Sequence, residues 1–234
     1  MDYSLTISVL VGPDEKEFVV PECLLTNTSA FFKAACSKKW KEGQERLVRL
    51  PEHDIESWNA YLHYKFTQSV AKPDVSKSTC GEEADPWFWI VQLWITADQV
   101  QDAYIQNKVV DQMLRMRDQL KSYPGPVKVS LAWESTAHDA PLRRYLIDEY
   151  VSSNIKIDYM RKNWSEYPSD FLRDLFAAVL GAKCNPKAEE YIAPQLRHRC
   201  HYHIHNNDCP KCEVGVGADE EVKDAVKEEV GFLD

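Results

Sequence analysis

The sequence is poor in glycine, with eight among its 234 residues, and it contains none of the glycine-rich signatures of nucleotide or acyl chemistry. Gly-x-Gly-x-x-Gly, the phosphate-binding Gly-Lys-Ser/Thr loop and the Gly-x-Ser-x-Gly elbow of hydrolases do not occur. Isolated cysteines and histidines fall on segments that we expect to be core or helix ends, where such side chains are ordinarily structural. These residues are Cys23, Cys36, His53 and His63. The sequence therefore predicts a protein that is not an enzyme.

An excess of basic charge and long apolar runs are also lacking. Lys and Arg number 28 against 37 Asp and Glu, which gives a formal net charge of −9. A concentrated basic face, which nucleic-acid binding needs, is not expected from this balance. No apolar run has the length of a membrane span, and the first residues do not form a secretory signal. We therefore expect a protein of the cytoplasm, the nucleus or both, which binds neither nucleic acid nor membrane.

What is present is the composition of a folded chain, with 44% hydrophobic and 28% charged residues. Near the start, apolar residues alternate with other residues from 5 to 11 and stop at Gly12-Pro13, and a second short run follows at 17–20. This periodicity of two, closed by turn residues, predicts a β-hairpin. A third alternating run at 46–50 predicts another strand.

Helical patterns follow the second and the third of these strands. Pro21 fits the first position of a pair of short helices, and Asp54 fits the start of a longer one. The pair Asp85-Pro86 is typical of a helix start, and the helix that follows it is apolar almost all round, so we expect it to be buried. Between these helices, the polar stretch from 68 to 85 predicts a flexible surface loop.

A break at Tyr123-Pro124-Gly125-Pro126 ends the next helical pattern, and we place a domain boundary there. Beyond it, apolar residues at helical spacing predict helices around 142–150 and 168–181. The last stretch, 218–234, carries seven acidic residues and two lysines. We interpret this stretch as a solvated acidic tail.

An ordered set of segments at the junctions of these elements resembles BTB/POZ domain proteins. The segments are Phe18-Val19-Val20-Pro21-Glu22-Cys23-Leu24-Leu25, Ser29-Ala30-Phe31-Phe32-Lys33-Ala34-Ala35, Val48-Arg49-Leu50-Pro51-Glu52-His53-Asp54, Tyr61-Leu62-His63-Tyr64 and Leu93-Trp94-Ile95-Thr96-Ala97-Asp98-Gln99-Val100. They span about half of the chain. Pro21-Glu22 stands where animal members usually have His-Lys, and Trp40-Lys41-Glu42-Gly43 follows, which is similar to the fungal type of BTB protein.

The resemblance implies an α+β fold in which a small mixed sheet is flanked by helices. We expect the BTB/POZ domain at 1–122, a helical C-terminal region at 123–213 and the acidic tail at 214–234. Because a fold hosts many functions, the resemblance supports the fold more firmly than the function.

Relatives of this type are interaction modules, and many form homodimers through the N-terminal strand and the first helices. In this sequence the corresponding residues are Leu5, Ile7, Val9, Leu24 and Leu25. The alternative is that these side chains only fill the core of the monomer. The resemblance thus implies a non-enzymatic protein that binds protein partners, above all a second copy of itself.

A second implied function is that of a substrate adaptor for a cullin-type ubiquitin ligase. Relatives of this kind carry a hydrophobic-x-Glu motif in the loop before the third strand, and Trp40-Lys41-Glu42 lies at that position. Trp40 and Glu42 are the candidate contacts to the cullin scaffold. The alternative for a Trp in a surface loop is that its ring packs locally.

Histidine and cysteine are concentrated near the end of the chain. Four of the seven histidines and three of the seven cysteines lie between 198 and 212. The candidate metal ligands are Cys200, His203, His205, Cys209 and Cys212. Four thiolate or imidazole ligands are the usual set of a structural zinc site, and Cys209-Pro210-Lys211-Cys212 presents two sulfurs on one side of an ion.

Other interpretations of this cluster stay open: a His-rich stretch without metal, a redox Cys-x-x-Cys pair, or histidines that only bond to backbone carbonyls at helix ends. The redox pair is disfavoured because the motif does not follow a strand in a βαβ pattern. If zinc is bound, a zinc-supported nuclear regulatory factor is a further alternative for the function.

Overall fold

The computed structural model describes residues 2–70, 85–120, 122–152, 157–184, 198–206 and 212. Most of the expected surface loop, Cys209 and the expected acidic tail lie outside these residues. Within them the chain forms one three-stranded sheet and ten α-helices, so the α+β class expected from the sequence is confirmed. None of the described helices combines the length and the apolar character that crossing a membrane requires.

The sheet contains the three strands that alternation predicted: β1 (Thr6–Val11), β2 (Lys16–Pro21) and β3 (Leu47–Leu50). β1 lies in the centre, antiparallel to β2 and parallel to β3. The hairpin turn passes through Gly12, whose φ of +77° is strained for other residues. The sheet is therefore mixed and small, as expected.

Four helices belong to the first part of the chain: α1 (Glu22–Thr26), α2 (Ala30–Ala35), α3 (Lys41–Glu45) and α4 (Ile55–Thr67). Ser29 begins α2 by accepting a hydrogen bond from the Phe32 amide, and Asp54 begins α4 by accepting one from the Ser57 amide. The sequence indicated the start of α4 but not α3, which lies in a polar stretch without an apolar stripe.

Two longer helices follow, α5 (Pro86–Gln99) and α6 (Ala103–Leu120). Asp85 accepts a hydrogen bond from the Trp87 amide and Pro86 occupies the first turn, which confirms the predicted helix start. α5 packs against α4 and α6, and against α7 of the second half. Contacts on several sides explain why α5 is apolar almost all round.

The second half contains α7 (Pro126–Ser135), α8 (Pro141–Ser152), α9 (Ile157–Lys162) and α10 (Ser169–Cys184), with short 3-10 turns at Trp164–Glu166 and Arg199–His201. α8 and α10 were predicted. α7 was not, because Gly125-Pro126, which we interpreted as a break, is also the start of a helix: Gly125 precedes the first turn and Pro126 lies within it.

One hydrophobic core extends through the described part of the chain, from Ile7 in β1 to Tyr202. Asp85 at the start of α5 forms an ion pair of 2.7 Å with the buried Lys128 of α7. The region after 122 thus shares its core with the region before it. The division at 122 stays a prediction.

Candidate metal centre and interaction surfaces

The five residues expected to mediate self-association have different environments. Ile7, Val9 and Leu25 are fully buried in the core of the protein itself. Leu24 is half-buried, and Leu5, just before β1, is 52% exposed. In this structure, only Leu5 and Leu24 of the five therefore offer apolar surface to a partner.

A groove lies beside Leu24, between α1, the end of α4 and the start of α6. Its volume is about 500 Å³, and apolar side chains that the sequence did not single out line it: Tyr3, Phe66, Tyr104 and Ile105. Phe66 is 59% exposed and Tyr3 is 58% exposed. Because Phe66 ends the apolar stripe of α4, its sequence position alone did not show that it points to solvent.

Beneath this groove lies a network of buried polar groups around Asp102. One carboxylate oxygen accepts hydrogen bonds from Thr28 (2.6 Å), Tyr61 (2.9 Å) and Lys65 (3.2 Å). The other oxygen accepts from the Ile105 amide at the start of α6. Burial lowers the pKa of Lys65, and the charge of Asp102 and its hydrogen bond offset part of that effect. Lys65, which lines the groove, and Asp102 beneath it carry opposite charges, so together they add no net charge to the floor of the groove.

Trp40 and Glu42 lie together on a second groove, of about 450 Å³. Trp40 directly precedes α3 and is 60% exposed, and Glu42, in the first turn of α3, is exposed as well. Phe31 and Ala35 of α2 and Leu47 of β3 form the apolar wall. The Trp40 ring is therefore not part of the core, and local packing of the ring stays open as the alternative for this residue.

Three of the five candidate ligands come together at the end of the described chain. One donor atom each from Cys200, His205 and Cys212 lies within 4.8 Å of the others. Around a tetrahedral zinc ion, sulfur and nitrogen ligands lie roughly 3.5 Å apart, given Zn–S and Zn–N distances of about 2.3 and 2.0 Å. The three residues thus form an incomplete but suitable soft-donor set.

The backbone near Cys200 is fixed locally. Cys200 lies in the short 3-10 turn, and its amide donates to the His198 ring at 3.3 Å. Burial raises the pKa of the Cys212 thiol, and its hydrogen bond to Cys200 acts in the same direction. A bound cation of charge +2 would favour the thiolate form and oppose both effects.

His203, the fourth described candidate, does not belong to this mutually close set. Its Nδ1 is 3.2 Å from the sulfur of Cys212, and its Nε2 is 3.1 Å from a carboxylate oxygen of Asp111 on α6. Burial by itself raises the pKa of Asp111. The hydrogen bond to His203 and the charges of His203, Arg199 and Lys108 outweigh it, so that the pKa lies below its ordinary value.

The segment that carries these ligands lies against α6 and α8. Asn107 bonds to both backbone groups of Ile204, accepting from its amide (2.7 Å) and donating to its carbonyl (2.9 Å). Tyr202 is fully buried, packs edge-on against Tyr145, and donates to Asp148 at 2.7 Å. These partners were missed because they lie far away in sequence and no local pattern marks them.

No protein-family model matches the chain. No curated protein matches it either. The grounds for assigning a function are therefore the fold, the geometry of the sites and the resemblance of the junction segments to BTB/POZ proteins.

Proposed function

We propose that this chain is a non-enzymatic protein-interaction module with a BTB/POZ-type fold of the fungal kind, and that it forms homodimers through its N-terminal surface. The mixed sheet with a central β1, an antiparallel β2 and a parallel β3 supports the fold. Two short helices directly after the hairpin agree with it. The family assignment itself rests on the resemblance of the junction segments.

The observation that carries the interaction proposal is the exposed apolar groove next to α1. Tyr3, Phe66 and Tyr104 present ring surface to solvent and Leu24 adds aliphatic surface, while Asn27, Thr28, Lys65 and Gln68 form the polar part of the groove. Leu5, two residues after Tyr3, is exposed as well. Aromatic side chains are enriched at the centres of interfaces, and a contiguous apolar patch marks an interaction site. A two-fold dimer places the same patch on both copies, so that each covers the other.

Light scattering of the full chain at micromolar concentration tests this proposal. We expect a dimer, and we expect Phe66→Asp to give a monomer because the charge would be desolvated at the interface. Phe176→Asp is the matched control, since Phe176 is a similarly exposed phenylalanine on α10. A monomeric wild type, or a Phe66→Asp protein that remains dimeric, would contradict self-association through this surface.

A second candidate function is that of a cullin adaptor, and one specific observation favours it. Trp40 is a large exposed ring beside an apolar groove, with Glu42 on the same groove. Buried aromatic anchors dominate binding energy in protein interfaces. Co-precipitation with a cullin is expected for the wild type and not for the double variant Trp40→Ala, Glu42→Ala. Trp164→Ala, which changes another exposed tryptophan, is the control.

If the wild type binds no cullin, or if the double variant binds as well as the wild type, the adaptor function is excluded. Self-association would not be affected by that result, because its groove lies elsewhere, between α1, α4 and α6.

The cluster near the C-terminus is proposed to hold a structural zinc ion. Cys200, His205 and Cys212 supply three soft donors, and Cys209, outside the described residues, has the Cys-x-x-Cys spacing of a fourth. Four protein ligands leave no open position for a reactive water, so the ion would stabilise the fold without taking part in chemistry. No observation favours a nuclear regulatory function in particular, and that alternative stays a prediction.

Metal analysis of the purified full chain tests the zinc proposal. We expect close to one equivalent of zinc in the wild type and a large loss in Cys212→Ser. Cys36→Ser is the matched control, because Cys36 is a free, partly buried cysteine on another side of the fold. A metal content near zero in the wild type would reject the site.

A further inference from the structure

We infer that Asp111 and His203 form an outer pair of the metal centre, in which Asp111 orients the His203 ring and His203 positions the sulfur of Cys212 for the ion. This inference rests on the proposed zinc site. It assigns His203 a positioning function and gives Asp111, which no sequence pattern singled out, a place in the same centre.

The His203 ring has a partner on each side. Nε2 faces the Asp111 carboxylate at 3.1 Å, and Nδ1 faces the Cys212 sulfur at 3.2 Å. The side chain is only 2% exposed, so water has little access to replace either partner. A ring held at both nitrogens cannot rotate without losing both contacts. The direction of the Cys212 side chain is therefore tied, through the ring, to a carboxylate on α6.

α6 also holds the backbone on which these side chains are placed. Asn107 and Asp111 are four residues apart and lie on the same face of the helix. Asn107 bonds to both backbone groups of Ile204, and Asp111 holds the neighbouring His203. The described residues from 202 to 206 have no regular secondary structure. Their placement therefore comes from contacts with neighbouring helices, with α6 through Asn107 and Asp111 and with α8 through Asp148, and a metal site needs such precision.

Outer groups of this kind orient ligands and tune the charge on them, and their loss commonly lowers metal affinity 10- to 100-fold. The contact of 3.2 Å between Nδ1 and the Cys212 sulfur places the His203 ring directly against this proposed ligand. The competing interpretation is that His203 is itself a ligand and Asp111 is the carboxylate behind it. His205, and not His203, belongs to the set of mutually close donors, which favours the positioning function.

The experiment measures zinc affinity of the full chain by competition with a chromophoric chelator, together with the visible spectrum of the Co²⁺ form. Asp111→Asn keeps the shape of the side chain and removes its charge. We expect its zinc affinity, and that of His203→Gln, to fall about 10- to 100-fold. The d–d bands of Co²⁺ are expected to keep their intensity in both variants, because the number and kind of the ligands are unchanged.

Asp148→Asn is the matched control. Asp148 holds the same segment from the side of α8, and its side chain is 13% exposed, as is that of Asp111, but its contacts are with Tyr202 and His201. We expect its zinc affinity to change by less than about threefold, well below the loss typical of outer metal-site groups. Circular dichroism of each variant verifies folding, and Asp111→Asn decides the question if His203→Gln does not fold.

The outcomes separate this inference from the zinc site itself. If the wild type binds no metal, both the proposed zinc site and this inference are rejected. A wild type that binds zinc, with unchanged affinity in Asp111→Asn, overturns the inference alone. An equal loss in Asp148→Asn would also overturn it, because general attachment of the segment would then explain the effect. A clear change in the intensity of the d–d bands of Co²⁺ in His203→Gln would make His203 a ligand, which overturns the inference as well.

Discussion

In the sheet and the helices around it, side chains are held by apolar contact, whereas the segment at 198–206 and Cys212 is held mainly by directed polar contacts. We call the second region the metal corner. In the first region, Trp58, Phe32 and Tyr61 pack ring against ring within the hydrophobic core. In the metal corner, a few bonds from Asn107, Asp111 and Asp148 fix the chain, with Tyr202 as its buried apolar anchor.

The difference matters because apolar burial and directed bonds fail in different ways. Apolar contact is spread over many atoms, so a cavity there weakens the whole cooperative unit. Directed bonds are few, and losing one of them releases a short segment while the rest of the fold persists. The first region should therefore set global stability. The metal corner should determine only the order of its own short segment. If zinc binds, that order should depend on the ion.

Removal of the Trp58 ring is expected to have the largest effect. Trp58 is fully buried and stacks on Tyr61 with ring centroids 5.2 Å apart. Trp58→Ala leaves a cavity that surrounding helices cannot close, and we expect it to lower the free energy of unfolding by about 3–5 kcal/mol. Urea denaturation, followed by circular dichroism, measures the change.

Trp58→Phe separates packing from hydrogen bonding at the same position. The indole Nε1 of Trp58 is buried and has no hydrogen-bond partner among the described residues, so Phe removes volume but no bond. We expect a loss clearly smaller than that of Trp58→Ala. If the two variants lose equal stability, ring packing is not what holds the first region together.

The first region also contains a buried ion pair, between Lys65 and Asp102, which is a directed polar contact. Both side chains are almost fully buried, with a distance of 3.2 Å between them. Asp102→Asn leaves the Lys65 ammonium without its counter-charge, and we expect a loss of about 3 kcal/mol in urea denaturation. Lys65→Met in addition removes the unpaired charge and should restore part of the stability.

The effects of the substitutions at Lys65 and Asp102 on the free energy of unfolding are therefore expected to be strongly non-additive. In a double-mutant cycle, the double variant should be more stable than the sum of the two single losses predicts. Simple additivity would mean that the interaction between Lys65 and Asp102 contributes little to stability.

The elements of the first region were predictable because a local pattern encodes each of them. Alternation placed β1 and β3, and Asp54 and Asp85 marked the starts of α4 and α5. α3 and α7 were missed for local reasons as well. α3 has no buried residue and thus no apolar stripe, and the start of α7 uses the same Gly-Pro residues as a loop.

The metal corner was only half predictable. Clustering of His and Cys in sequence pointed to Cys200, His205 and Cys212, which the structure brings together. The sequence could not choose between His203 and His205, because both lie between the cysteines at spacings that a zinc site accepts. Nor could it find Asn107 or Asp111. Contacts across more than 90 residues depend on how α6 is placed in the fold.

The smallest expected effect comes from Tyr202→Phe, which removes one bond of the metal corner and keeps the ring. The lost bond is that of the hydroxyl to Asp148, at 2.7 Å. We expect a local loss of about 1–2 kcal/mol, hence hydrogen exchange in residues 199–205 that is about 5 to 30 times faster. Amides of β1 and β3 should exchange as in the wild type, as hydrogen-exchange mass spectrometry can measure. Faster exchange in both regions would show that the metal corner and the sheet unfold as one unit.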